Sequence, residues 1–162
     1  MAEFIVPDAN LLIWLDKADQ IDILLEHYEE STILISKRVL GECEIEDKDL
    51  LINSSQVSIQ DPNPEFSRNL GSRPSKTDIQ VLTLADAKKD SLVISDDPDV
   101  CGNCEELDLE FYRLLEFLKE LREGTIDSED FHFKAGVAKE DLRLPEDKVD
   151  EVRDWERNEL QT

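Results

Sequence analysis

The chain has 162 residues, with 40 Asp and Glu against 18 Lys and Arg, and a formal net charge of −22. That length suits one domain with its own core, and a 40% hydrophobic content separates the chain from disordered acidic sequences. Charge of this sign excludes general electrostatic attachment to nucleic acid or to an anionic membrane, so contact with RNA or DNA requires a local basic patch, bridging cations or high salt. No apolar run approaches the roughly 20 residues that span a bilayer. Residues 1–15 lack the basic start and small-residue cleavage site of a secretory signal. Three Cys form no disulfide framework, so a reducing cytoplasm is the expected location.

Apolar segments recur in a strand-and-helix rhythm, which predicts an α/β fold with a mostly parallel sheet of about five strands between helical layers. Residues 4–6 read as a short buried strand ended by Pro7 and Asp8. Helices are predicted to about residue 15 and over 21–30, the second with Ile21, Leu24, Leu25 and Tyr28 at helical spacing. The β-branched run 32–35 is the second strand. Ser36 then caps a helix predicted to about residue 47. Residues 56–60 alternate polar and apolar as a third strand. After a loop over 66–74, Ser75-Lys76-Thr77-Asp78 has the form of a capping box opening a helix to about residue 89. Residues 92–95 are the fourth strand, running into Asp96-Asp97-Pro98-Asp99. A fifth strand is placed near 106–109 and an amphipathic helix over 109–122, with Gly124 as terminator. Beyond Ile126 the pattern fades. Residues 136–162 read as a charged extension to a domain of residues 1–135, helical from about Pro145, with Val149, Val152 and Trp155 as its apolar markers.

In open α/β sheets ligands bind beyond the carboxyl ends of the strands. Asp8 follows the first strand, and Asp96, Asp97 and Asp99 follow the fourth. Asp78 lies in the first turn of one helix and Glu42 about one and a half turns into another. Carboxylates converging on one pocket cannot all ionise unpaired, because like charges raise one another's pKa. A hard divalent cation, Mg²⁺ or Mn²⁺, resolves that conflict through oxygen ligands and leaves room for phosphate. Such an ion activates water and neutralises charge on a phosphodiester.

Four short motifs carry a resemblance: Val6-Pro7-Asp8-Ala9-Asn10, Val39-Leu40-Gly41-Glu42, Lys76-Thr77-Asp78-Ile79 and Val93-Ile94-Ser95-Asp96-Asp97. In this order and spacing, across roughly residues 4–130, the chain resembles the PIN-domain nucleases, which include the VapC toxins of toxin–antitoxin modules. The resemblance implies a three-layer α/β/α fold, metal-dependent hydrolysis of RNA and frequent homodimerisation. It assigns Asp8, Glu42, Asp78 and Asp97 as catalytic metal ligands with Asp96 beside them, and Asn10 and Ser95 as groups that orient the ligands. Residues 114–131 are similar to the family's closing helix–loop–helix. The last acid matches Asp97 in a Ser-x-Asp register, with Asp96 as the other member of the doublet.

Each acid also has a plainer role open to it. Asp78 serves a capping box, Glu42 begins an acidic run that a solvated helix face would explain, and Asp96 to Asp99 fit a turn around Pro98. Cys101 and Cys104 have CxxC spacing, but half a knuckle is no zinc site. Bases are placed more tellingly. Residues 66–77 hold Arg68, Arg73 and Lys76 and no acid, and Lys37 and Arg38 precede Glu42; all five are candidate RNA contacts, with loop solvation as the alternative. The leading reading is a ribonuclease with RNA as substrate and an antitoxin or other protein as partner. Its rivals are an idle PIN-like binding module and a phosphoacceptor receiver-type domain, whose middle-strand Asp and later Lys are not found. Four or five ligand acids leave most of the −22 on the surface, a coat expected of a halophilic protein.

Overall fold

A computed structural model describes residues 2–62 and 75–160. Its centre is a five-stranded, all-parallel sheet in the order β3-β2-β1-β4-β5. The strands are β1 (Phe4–Pro7), β2 (Thr32–Ser36), β3 (Val57–Gln60), β4 (Ser91–Ile94) and β5 (Glu110–Tyr112). Ile5, Val6, Ile33, Leu34, Ile35, Val93 and Ile94 are at most 1% exposed. Such near-continuous apolar runs belong to parallel strands covered on both faces. β1 pairs with β4 from Phe4↔Ser91 to Pro7↔Ile94, so the strand that ends before Asp8 lies beside the strand that leads to Asp96 and Asp97.

Nine helices connect and cover the sheet among the described residues: α1 (Ala9–Lys17), α2 (Asp22–His27), α3 (Lys37–Glu42), α4 (Lys48–Ile52), α5 (Lys76–Asp86), α6 (Pro98–Glu106), α7 (Leu114–Gly124), α8 (Ser128–Glu140) and α9 (Glu146–Glu159). α5 lies against β1, β2 and β4, with α3 and α6 beside it. Elsewhere α1 meets α8 and α7 packs on α8. Trp14 stands edge-on to Phe117 at 6.2 Å and donates its indole N–H to the Lys134 carbonyl at 3.0 Å. The result is the expected α/β/α sandwich. No described helix is long and apolar enough to cross a membrane.

Several elements differ from their sequence reading, each for a physical reason. The helix expected over 36–47 ends at Glu42, because Cys43 turns extended (ψ 115) and residues 43–45 bury Cys43 and Ile45 alternately around exposed Glu44. Residues 109–122 satisfy both periods at their start. Pairing with β4 wins there, so Glu110–Tyr112 is strand and the helix begins at Leu114. The segment read as a turn around Pro98 is α6, with Asp97 as N-cap and Pro at its first position. Past Ile126, α8 opens on an Asp127 cap. α9 packs on α7 and α8 through buried Val149 and Val152, and Trp155 lies 6.1 Å from Phe131.

Candidate active site

The strand order places a switch point between β1 and β4, where chain connections leave in opposite directions and a crevice opens at the carboxyl edge. Asp8 stands there because β1 ends at Pro7 and α1 needs a cap. Its Oδ1 accepts from the Ala9 N–H at 2.7 Å, and its own N–H extends the ladder to the Ile94 carbonyl at 2.9 Å. Across the crevice Ser95, fully buried, donates its hydroxyl to Asp8 Oδ2 at 2.7 Å and accepts the Asp97 N–H at 3.1 Å. One serine thus joins the acids of two strands. Asp97 in turn caps α6, accepting from the Asp99 N–H at 2.8 Å.

Two more acids arrive on helices. Asp78 sits third in α5, and the capping box read from sequence is present: the Asp78 N–H donates to Ser75 Oγ and the Ser75 N–H to Asp78 Oδ2, both at 3.1 Å. Glu42 ends α3, exposed, and its Oε1 accepts the hydroxyl of buried Thr77. Thr77 therefore ties α3 to α5. Sequence reasoning missed it, and its sole signal was a polar β-branched residue next to a motif acid.

Electrostatics joins the four. Burial pushes the Asp8 carboxyl above its ordinary pKa, the Ser95 and Ala9 donors pull it back, and the charges of Asp97 and Glu42 push it up again. Asp78 is also raised, first by burial and then by Asp97 and Asp8, against its Ser75 hydrogen bonds. The main influences on these two carboxyls include no Lys, Arg or His. Carboxylates raised first by burial and then by neighbouring acids, with no cation among the main influences from the described residues, have the donor chemistry that suits a hard divalent cation. Among the described residues, however, no three His, Cys, Asp or Glu side chains are gathered closely enough to chelate an ion as they stand.

The remaining candidates are dispersed. Asp96 pairs with Arg113, whose Nε reaches its Oδ1 at 3.2 Å, so the two acids of the doublet have different neighbours. Arg113 also escaped the sequence reading, since only the β4–β5 pairing brings it to Asp96. Asn10 is exposed on the first turn of α1, Lys37 and Arg38 open α3, and Lys76 opens α5, all at the surface. Arg68 and Arg73 lie outside the described residues. Burial lifts the Cys43 and Cys101 thiols to about 11 and the Cys104 thiol to about 12. All three are buried free thiols. Burial of this kind favours the protonated, less reactive thiol at neutral pH.

An open parallel sheet with acids at its central switch point defines a carboxylate-centred α/β protein. The family model described as a PIN domain matches residues 4–153, nearly the whole chain, and the protein belongs to that family. Its class is that of nuclease folds. No curated protein and no solved structure matches the chain.

Proposed function

We propose that this PIN-domain protein is a metal-dependent ribonuclease that hydrolyses RNA phosphodiester bonds. The observation that supports the reading is the electrostatic coupling of Asp8 with Asp97 and Glu42, and of Asp78 with Asp97 and Asp8, two of these acids being buried and with no cation among their main influences from the described residues. These four, with Asp96 at the margin, would hold Mg²⁺ or Mn²⁺. Bound there, the ion supplies Lewis-acid neutralisation of the phosphodiester's charge and activation of water.

The chain's own groups prepare the site. Ser95 and the Ala9 N–H each hold one oxygen of Asp8, favouring its ionised form against the cost of burial. Thr77 orients Glu42. Lys37, Arg38 and Lys76 stand exposed on the helices that carry Glu42 and Asp78, where they would draw a phosphate backbone that the net charge of −22 otherwise repels. Arg68 and Arg73, which precede α5 in the sequence, are proposed to do the same.

The test is cleavage of a labelled single-stranded RNA with Mn²⁺. Asp8→Asn should lower the rate by about 10³-fold, and a chelator should abolish it. Activity surviving both would remove the mechanism, and RNA binding without cleavage under any divalent ion would mark an idle binding module. In the same titration, neutralising Lys37, Arg38 and Lys76 should weaken RNA binding more than neutralising Lys139, Lys148 and Arg157. A toxin role is the narrower form of this proposal: expression should arrest growth, and a small antitoxin protein should relieve the arrest.

A further inference from the structure

The loop that delivers Asp97 is held by a residue from another strand. β4 and β5 run on past their ends through the Ser95 N–H, which donates to the Tyr112 carbonyl at 3.0 Å. Directly after Tyr112 comes Arg113. Its Nε donates to Asp96 Oδ1 at 3.2 Å, and its Nη2 donates to the main-chain oxygen of the same residue at 3.1 Å. The peptide unit between Asp96 and Asp97 is therefore gripped at both polar groups. Its C=O accepts from Arg113, and its N–H, belonging to Asp97, donates to Ser95 Oγ at 3.1 Å. Rotating that peptide would re-aim Asp97 and withdraw the serine that bonds Asp8. A planar guanidinium meets side-chain and main-chain oxygens at once, which the single ammonium of lysine does less well.

We propose that Arg113 is a positioning residue for the carboxylate site, fixing the Asp96–Asp97 peptide so that Asp97 faces Asp8 and Asp78. Asp96 then serves as the handle by which the loop is held rather than as a ligand of equal standing with Asp97. The proposal rests on the metal-dependent reading above, and it makes a prediction opposite in sign to simple electrostatics. Removing a positive charge next to a cation site should tighten metal binding by Coulomb attraction alone. Loss of a positioning contact should weaken it, typically by about tenfold or more.

The experiment titrates Mn²⁺ into the full chain by the loss of its free-ion paramagnetic resonance signal. The wild type is compared with Arg113→Gln, which removes the charge, and Arg113→Lys, which keeps it. Both variants should bind Mn²⁺ about tenfold more weakly, with thermal midpoints near the wild type because Arg113 is an exposed side chain. Amide hydrogen exchange gives a readout independent of metal and of activity: the Asp97 N–H should exchange faster in both variants. Unchanged or tighter Mn²⁺ binding in Arg113→Gln would overturn the proposal, and so would unchanged exchange at Asp97. Lost affinity in Arg113→Gln but not in Arg113→Lys would also overturn it, by assigning the effect to charge rather than to the fork. A wild type that takes up no Mn²⁺ would instead refute the metal reading, and the purpose of the clamp with it.

Discussion

Asp8 and Glu156 are both buried carboxylates, 5% and 0% exposed, in opposite surroundings. Glu156 lies on α9 and meets Arg122 Nε at 2.9 Å and His132 Nε2 at 3.1 Å, so two basic side chains from α7 and α8 close around it. Asp8 is met by a serine hydroxyl, a backbone N–H and the fields of other acids. A buried charge that serves the fold is accompanied by its counter-charge, because an unpaired one costs several kcal/mol. The first arrangement explains how a highly charged terminal helix docks. The second leaves an electrostatic demand at the carboxyl edge of the sheet, and the proposed divalent ion would answer it.

That difference can be broken from either side, and the largest effects should fall on opposite properties. Asp8→Asn should remove cleavage while leaving the fold intact, since Asn still caps a helix. Arg122→Ala should do the reverse. It leaves Glu156 short of its closest cation and should cost about 2–3 kcal/mol of stability, somewhat below the full value for a buried pair because Arg122 is partly exposed. Cleavage per folded molecule should stay within about twofold of wild type. Denaturant unfolding and single-turnover cleavage on both variants check this, and a matching loss of cleavage in Arg122→Ala would show that the two regions are not independent.

A second consequence is thermodynamic. A ligand that binds only the native state at 100 times its Kd adds about 2.7 kcal/mol. Mn²⁺ should therefore raise the unfolding free energy of the wild type and of Arg122→Ala by that order, and of Asp8→Asn by much less. In chelator the sign reverses. Asp8 is raised above its ordinary 3.8 in the folded state, so between 3.8 and the folded value the native protein binds more proton there than the unfolded chain does. The resulting stability is complete below 3.8 and is lost as pH rises through the folded value. Metal-free wild type should thus lose stability relative to Asp8→Asn as pH climbs from about 3 to neutrality. Melting curves of the two proteins across that range decide it, and a wild type that gains on the variant would contradict the burial argument.

The same contrast explains what could be read from the chain. β1 and β4 were legible because unbroken apolar runs have few other uses, and Asp8 stood out by interrupting one. Asp78 was legible through its capping box, a purely local device. Thr77, Arg113 and the Arg122–Glu156–His132 group were not, because each contact joins elements whose approach is set by tertiary packing. Local ambiguity hid α6 as well: Asp-Pro-Asp satisfies a turn and a capped helix start equally, and only the docking of Val100, Cys101 and Cys104 into the core selects the helix. In α8 the fully buried Lys134, paired with Asp130 at 2.8 Å, interrupts the apolar stripe that would have announced it.

The smallest expected effect separates the acids of the site from those of the coat. The site acids should respond to a divalent ion at low concentration. The exposed surplus behind the −22 should respond to ionic strength, because monovalent salt shortens the reach of repulsion from about 10 Å at 0.1 M to about 3 Å at 1 M. The proposal of a halophilic source, which rests on that surplus, predicts a melting midpoint that rises with KCl between 0.1 and 2 M. The rise should be about 3 °C or more, the shift that ~1 kcal/mol produces in a domain of this size. Asp8→Asn should show the same KCl dependence as the wild type, because one buried carboxylate contributes little to a field made by dozens. If the fold were most stable in low salt, the acidic coat would have nothing to do with the solvent. If Asp8→Asn alone lost its KCl response, monovalent cations would be acting at the crevice, and site and coat would no longer be separable.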